Sequence, residues 1–254
     1  MKTVDRAMQV LAAFTERHPE IGLSDLARAT NIDKATTRRL LISLLKHGMV
    51  EQNANREYRL GPALLGLAKI REASVPIEKI IRPILEQLSL QTGETAHFSL
   101  LAGHTISNIS IIESEHANRV TMDIGEQLPL LATSSGLVVL AFSDEEMRQQ
   151  ALSSPIKSYS DNTPDSIRRI TKILQNAQAT GYVQSDGFYE NGVSSIASAV
   201  FDQSNKPIGA IAVATPTSRF DQALSDKIAS LVLQAGVDIT SALGGQSPVY
   251  DRVA

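Results

Sequence analysis

The densest cluster of groups able to hold an anion lies near the N-terminus, in Lys34-Ala35-Thr36-Thr37-Arg38-Arg39. An ammonium, two guanidiniums and two hydroxyls in six residues are the groups that meet DNA. Arginine forks pair bidentately with guanine or clamp phosphates, and threonine hydroxyls reach either phosphate or a base edge. Arg56 and Arg59 add two cations on a following segment, within reach of the flanking backbone or minor groove. Other chemistries find less support. Ser134-Ser135 and Ser194-Ser195 lie near glycines, but neither stretch fits the Gly-x-Ser-x-Gly elbow of a serine nucleophile. His18, His47, His97, His104 and His116 show no metal-ligand spacing, and no phosphate-binding glycine loop or dinucleotide fingerprint appears. The chain has no cysteine, which removes disulfides, thiolate zinc sites and thiol nucleophiles together. The expectation is a protein that is not an enzyme and needs no metal or cofactor.

The basic hexapeptide needs a scaffold, and the flanking pattern supplies one. Val4, Ala7, Met8, Leu11 and Phe14 recur at helical spacing, and this first helix is expected to end near His18-Pro19. Ser24 reads as the N-cap of a short second helix, Asn31 as part of a turn, and Asp33 as the N-cap of a third helix. Leu40, Leu41, Leu44 and Leu45 form that helix's apolar stripe, and Gly48 stops it. Residues 49–52 and 57–61 are short extended runs around an Asn-rich turn, a hairpin signature. Three helices and a hairpin in about sixty residues outline a winged helix-turn-helix, in which the second helix of the pair lies in the major groove.

Beyond residue 61 the pattern changes. A helix starting at Pro62 fades near Val75-Pro76 and reads as a linker. Pro76 opens a further helix with Ile77, Ile80, Ile81, Ile84, Leu85 and Leu88 on one side, ended by Gly93. Strands are expected at 96–101, 106–112, 120–124, 182–185, 195–201 and 208–215. Helices are expected at 133–142, at 166–179 and at the C-terminal end, where Leu224, Ile228, Leu231, Val232, Ala235 and Ile239 share a face up to Gly244-Gly245. The fold class is therefore α+β: a winged helix-turn-helix over 1–61, a linker helix over 62–75, and a sensor-type domain over 76–254 with an antiparallel sheet flanked by helices.

Charge follows the same division. Ten of the 24 lysines and arginines but only seven of the 27 acids lie in the first sixty residues, so that part is positive and the remainder negative. Opposite signs fit a nucleic-acid module attached to something else. No apolar run approaches the ~20 residues of a membrane helix, and the N-terminus lacks a secretory apolar core, so a cytoplasmic protein is expected.

The chain resembles the IclR family of bacterial transcriptional regulators over nearly its whole length. The resemblance runs through Val4-Asp5-Arg6-Ala7, Leu23-Ser24-Asp25-Leu26-Ala27, 33–41 and Tyr58-Arg59-Leu60-Gly61. It continues in Leu128-Pro129, Ala132-Thr133-Ser134-Ser135-Gly136, 192–197, Phe201-Asp202 and Pro207-Ile208-Gly209-Ala210. It implies a regulator, commonly a repressor of a catabolic operon, that binds double-stranded operator DNA under control of a small-molecule effector. It also implies a GAF-like effector domain and a homodimer or homotetramer. DNA contacts are expected from Lys34, Thr36, Thr37, Arg38, Arg39, Arg56 and Arg59. The effector site implied by the resemblance takes Thr133, Ser134, Ser135, Gly136, Ser185 or Asp186, Val193, Ser195, Ala212 and Ala214. Where relatives carry Gly-Lys this chain has Gly136-Leu137, and Gly187-Phe188 stands where paired acids are common. Ala212, Ala214 and Ser195 stand where some relatives place hydroxyls and a thiol to hold a small carboxylate, which favours a mostly apolar metabolite with one polar end. The alternatives are a GAF-fold enzyme and a winged helix used for protein interaction.

Overall fold

A computed structural model describes residues 2–15, 17–74 and 77–250, which divide into two compact units, Met1–Ile77 and Glu78–Ala254.

The first unit runs α1 (Lys2–Ala12), β1 (Ile21–Gly22), α2 (Leu23–Thr30), α3 (Lys34–Lys46), β2 (Val50–Gln52), β3 (Glu57–Leu60) and α4 (Ala63–Ser74). Its core is Val10, Phe14, Leu26, Ile32, Leu40, Leu41, Leu44, Val50 and Tyr58; the α3 stripe is there as expected, but on α1 the buried residue is Val10, and Val4 and Met8 of the periodic set are exposed. The sharp step from α2 to α3 has a local cause. Asn31 caps α2 in the left-handed region (φ 54°), a conformation that asparagine tolerates better than most residues. Asp33 then accepts a hydrogen bond from the Thr36 amide at 2.9 Å and starts α3. The hairpin turn is held by the Asn53 side chain, whose Oδ1 accepts from the amides of Asn55 and Glu57, both at 3.0 Å.

Two expectations fail here. The N-cap of α2 is Gly22, not Ser24. Ile21 and Gly22 are committed to an extended pairing with Tyr58 and Glu57 of β3, so the helix begins as soon as that pairing ends. Helix α1 stops at Ala12 rather than near Pro19. Phe14 lies past its end, beside a turn in which the Thr15 and His18 backbones bond reciprocally, yet is still buried. Pro76 as the opening residue of the next helix lies outside the described residues.

The second unit runs α5 (Ile77–Thr92), β4 (Thr95–Ala102), β5 (Thr105–Ile112), β6 (Gln127–Pro129), α6 (Ser134–Phe142), α7 (Glu145–Ser153), α8 (Ile167–Thr180), β7 (Tyr182–Asp186), β8 (Val193–Phe201), β9 (Pro207–Pro216), a 3-10 turn (Thr217–Arg219) and α9 (Gln222–Ala242). Its antiparallel sheet has six strands in the order β6-β5-β4-β9-β8-β7. Both faces of the central strands are covered, so β8 and β9 read as nearly continuous apolar runs. Strand alternation sorts them. Ala197, Ala199, Phe201, Ala210 and Ala212 join α6 and α8 in one core. Ile196, Ser198, Val200, Ile211 and Val213 turn to the opposite face, where α9 lies and Thr240 Oγ1 accepts from the Phe201 amide at 3.1 Å.

Residues 120–124 are not a strand. Val120 gives its carbonyl to the Thr95 hydroxyl at 2.7 Å, and the edge position beside β5 is taken by Gln127–Pro129. Helix α7 went unread in the sequence because its one buried residue, Ala151, leaves almost no periodicity; Asp144 caps it at the Met147 amide.

Helix α6 lies so near the chain before it that a Cβ on Gly136 would stand 2.5 Å from the Leu130 backbone. Gly136→Ala should therefore lower stability by ~1–3 kcal/mol or more, since backbone must move. A melting temperature unchanged by this substitution would contradict the packing described. Leu41→Ala, in the fully buried stripe of α3, should cost ~2–5 kcal/mol in the first unit, readable by denaturant titration.

Candidate nucleic-acid interface and effector site

In the first unit, α3 presents Lys34, Arg38 and Arg39 to solvent, with Thr36 half-buried. Arg39 Nη2 donates to Thr36 Oγ1 at 3.0 Å, which aligns a guanidinium with a hydroxyl along the exposed face. The Thr36 amide, with its hydroxyl and the Arg39 charge, holds the Asp33 carboxyl below the usual range, so the cap stays ionised. Thr37 departs from expectation. It is fully buried, and its hydroxyl donates to the carbonyls of Asp33 at 3.0 Å and Ile32 at 3.3 Å. It faces the domain core, not a DNA groove, and fixes the start of α3 from inside. On the hairpin, Arg56 is exposed in a left-handed conformation (φ 64°) at the tip. Arg59 is exposed but paired with Glu51 and, at 3.3 Å, with Glu20. A phosphate would have to compete with those carboxylates, so Arg59 enters such an interface at a cost that Arg56 does not bear.

In the second unit, the expected effector residues fall on two faces of one sheet. Register places Ser185, Ser195, Ala214 and Thr95 in one cross-strand row, and Val183, Ala197, Ala212, His97 and Ile111 in the next. Both rows face α6. Ser195 bonds the Ser134 hydroxyl, Oγ to Oγ at 2.9 Å, and Ser185 Oγ donates to the Ser195 carbonyl at 3.4 Å. Val193, two residues before Ser195, is half-buried on the same face. Thr133 caps α6, accepting from the Gly136 amide at 3.0 Å while donating to the Pro129 carbonyl. Ser134 and Ser135 are buried in its first turn, where backbone amides lack intrahelical acceptors. Asp186 is not part of this group. It pairs in register with Ser194 on the opposite face and accepts from the hydroxyls of Ser194 at 2.9 Å and Thr217 at 3.3 Å. Of the two alternatives, Ser185 is the one that shares a face with Ser195.

Ala212 and Ala214 are fully buried, and Ala212 packs in the α6 core. Phe188 and Tyr189 pack against the same core, their loop held by Thr163 Oγ1 donating to the Phe188 carbonyl at 2.7 Å. Sequence reasoning missed what β4 and β5 add. His97 and Ser99 alternate onto the α6 face of β4, and Asn108 of β5 lies directly opposite Ser99. All three are buried, and Ser99 Oγ donates to Asn108 Oδ1 at 2.7 Å. The signal was available: three polar residues in alternation, Thr95, His97 and Ser99, on one face of a strand whose other face is apolar. Burial alone pushes the His97 imidazole down to about 4.

Comparison with known proteins agrees over nearly the whole chain. The family model described as bacterial transcriptional regulator IclR C-terminal matches residues 72–241, and the IclR helix-turn-helix domain matches residues 3–54. The HTH-type transcriptional regulator XynR of Escherichia coli (strain K12) is 30% identical, the alignment covering 96% of this chain and 98% of that protein. The transcriptional repressor IclR of the same strain is 25% identical over 96% of this chain and 91% of its own length. The crystal structure of an ICLR transcriptional regulator from Silicibacter sp. TM1040 superimposes with a TM-score of 0.85 at 39% identity, covering 97% of this chain and 98% of that one.

A protonation consequence follows from the buried imidazole. The unfolded chain takes up a proton on His97 near 6.5 and the folded chain only near 4. The unfolded state thus binds more protons between those values. The stability given by a neutral His97 is complete above about 6.5 and is lost as pH falls toward about 4, by up to about 3 kcal/mol. His97→Phe should therefore melt with a shallower acid decline than wild type across that window; parallel profiles would mean that the imidazole is not desolvated.

Proposed function

The chain belongs to the IclR family of bacterial transcriptional regulators, and from that premise we propose that it represses a catabolic operon until a small metabolite binds its C-terminal unit. It is a DNA-binding regulator with an N-terminal helix-turn-helix and a C-terminal effector-binding domain. In our reading, residues 1–61 bind double-stranded operator DNA, 62–75 link, and 76–254 sense. The protein works in the cytoplasm and carries out no catalysis. Among the described residues no helix is long and apolar enough to cross a membrane.

The observation that carries the reading is the two-sided build of α3. Leu40, Leu41, Leu44 and Thr37 are buried on its rear, while Lys34, Arg38 and Arg39 stand exposed at its N-terminal half. A helix used this way inserts its first turns into a major groove and lets the rear fix their angle. Lys34, Thr36, Arg38 and Arg39 are the groove contacts and Arg56 the hairpin contact, with Arg59 secondary to its carboxylate partners. Thr37 acts from within.

Assembly as a homodimer, paired again into a tetramer, is supported by apolar side chains that the first unit leaves in solvent: Val4 and Met8 on α1, and Leu65, Leu67 and Ile70 on α4. Exposed large apolar side chains on two helices are what a protein interface would cover. Two-fold pairing would present two recognition helices, so the operator should be a near-palindrome.

Arg39→Ala should weaken binding to the native operator by ~1–3 kcal/mol without loss of fold. Arg56→Ala should weaken all DNA about equally and reduce the salt slope of log K by about one. Thr37→Ala should lower the melting temperature, its affinity loss following instability. Fluorescence anisotropy at several salt concentrations reads all three. Wild-type affinity for Arg39→Ala at matched salt would remove α3 from the interface.

A further inference from the structure

Among the described residues, four buried side-chain polar atoms have no hydrogen-bond partner: His97 Nδ1, Asn108 Nδ2, Thr215 Oγ1 and Ser247 Oγ. An unmet buried donor or acceptor costs free energy that a fold ordinarily avoids. Two of the four belong together. His97 and Asn108 lie on neighbouring strands and on the same, α6-facing side of the sheet. Asn108 sits opposite Ser99, two residues along β4 from His97, so the two are diagonal to each other across the register shift between Phe98 and Ser99. His97 is 4% exposed and Asn108 fully buried. Thr215 follows Ala214 on β9 and so points to the other face.

The surroundings sharpen the picture. In the row that contains His97, Ala212 and Ala197 are the cross-strand neighbours; in the adjoining row Ala214 and Thr95 are paired, next to Ser195. Thr95 spends its hydroxyl on the Val120 carbonyl and the Ser114 amide. Ser134 Oγ donates to Ser195 Oγ. Asn108 Oδ1 is already taken by the Ser99 hydroxyl. The unused capacity is therefore specific. The Asn108 amide can only donate with what remains, and His97 Nδ1 donates in one tautomer. No charged group contributes to the His97 shift, which burial alone produces. The β9 side chains beside these donors, Ala212 and Ala214, are small and fully buried.

We propose that His97 Nδ1 and Asn108 Nδ2 form the polar end of the effector site and receive the carboxylate of a small, otherwise apolar monocarboxylic acid whose body lies against Ala212 and Ala214. The inference rests on reading the α6-facing side of the sheet as the effector site. It assigns the ligand's polar end to β4 and β5, away from the serines of β7 and β8 and the start of α6. A carboxylate fits better than a single carbonyl because it carries two acceptor oxygens for two separate donors. It accepts only, and so asks for no acceptor that the face lacks. Its charge is met by the imidazole, which takes a proton from solvent as the acid binds and becomes a charge-assisted donor.

The test uses the full-length protein and calorimetry with benzoate, phenylacetate and hexanoate, each compared with its methyl ester and its carboxamide. At least one acid should bind wild type, at least tenfold more tightly than its ester and amide. Binding should fall at least tenfold in both Asn108→Leu and His97→Phe. In the absence of ligand, the double variant Ser99→Ala/Asn108→Leu, which strands no hydroxyl, should melt no lower than wild type, because it removes the unmet donor together with the partner of Asn108 Oδ1. A lower melting temperature together with unchanged acid binding would make Asn108 a structural, water-bonded group and overturn the proposal. Equal affinity for acid and ester would overturn the carboxylate assignment. Binding lost in Ala212→Leu but kept in both other variants would put the polar end at the serines. Wild-type binding to operator DNA, measured alongside, separates the two levels. Operator binding with no acid bound refutes this site alone, whereas acid binding without operator binding refutes the regulator reading and leaves the site standing.

Discussion

The close approach of α6 to the sheet and to the segment before it governs the second unit. Gly136 has no space for a side chain against the Leu130 backbone. The strands beneath offer alanines, Ala197, Ala199, Ala210 and Ala212, where larger residues would hold the helix away. That contact buries nearly every residue of α6, from Ser134 to Ala141, so the helix has no solvent face to orient it. Its position is fixed instead by its start: Thr133 ties the Gly136 amide and the Pro129 carbonyl, and Ser134 ties Ser195. A helix anchored at its N-terminus over small residues delivers first-turn amides and hydroxyls to one place on the sheet. It also leaves the neighbouring strands β4 and β5 to contribute polar side chains there.

A comparable economy operates in the first unit. One threonine and one aspartate define where α3 begins, the aspartate from outside and the threonine from inside. Burying Thr37 gives up a hydroxyl that could have met DNA. In exchange, the helix that carries Lys34, Arg38 and Arg39 has its first turn fixed against the core. The arginines need that rigidity because bidentate pairing depends on angle as much as on distance. On the hairpin, the pairing of Arg59 with Glu20 and Glu51 ties β3 to β2 and to the segment before β1. That leaves Arg56 as the unencumbered cation at the tip.

Much of the second unit consists of buried polar groups that are satisfied. Glu94 is held by Arg219 through two hydrogen bonds of 2.8 Å, and Ser160 and Thr163 secure the loop carrying Phe188. Against that background, the unmet atoms of His97 and Asn108 stand out physically. Of the four unmet buried atoms among the described residues, these two lie together on one face of the sheet, which is the pattern expected where a site is organised for something other than its own stability.

The sequence alone determined the order and type of most elements, because those depend on short-range periodicity and capping. The leucine stripe of α3, the Asp33 cap, the Asn-rich hairpin and the apolar runs of β8 and β9 are all local patterns. It also determined the family, through the order of motifs along the chain, and the cationic face of α3. What it could not decide depends on which partner a residue meets across the fold. Ser24 lost the cap because Ile21 and Gly22 pair with a strand more than thirty residues away. Residues 120–124 lost their strand because the Thr95 hydroxyl claims the Val120 carbonyl. Thr37 and Thr36 are neighbours of one type, and only the packing of α3 turns one inward. Ser185 and Asp186 are likewise adjacent, and only the register with Ser195 and Ser194 assigns them to opposite faces. His97 looked like one of five unremarkable histidines until the register of β4 with β5 set it diagonal to Asn108, since side-chain partnership across strands is a property of pairing and no sequence spacing encodes it.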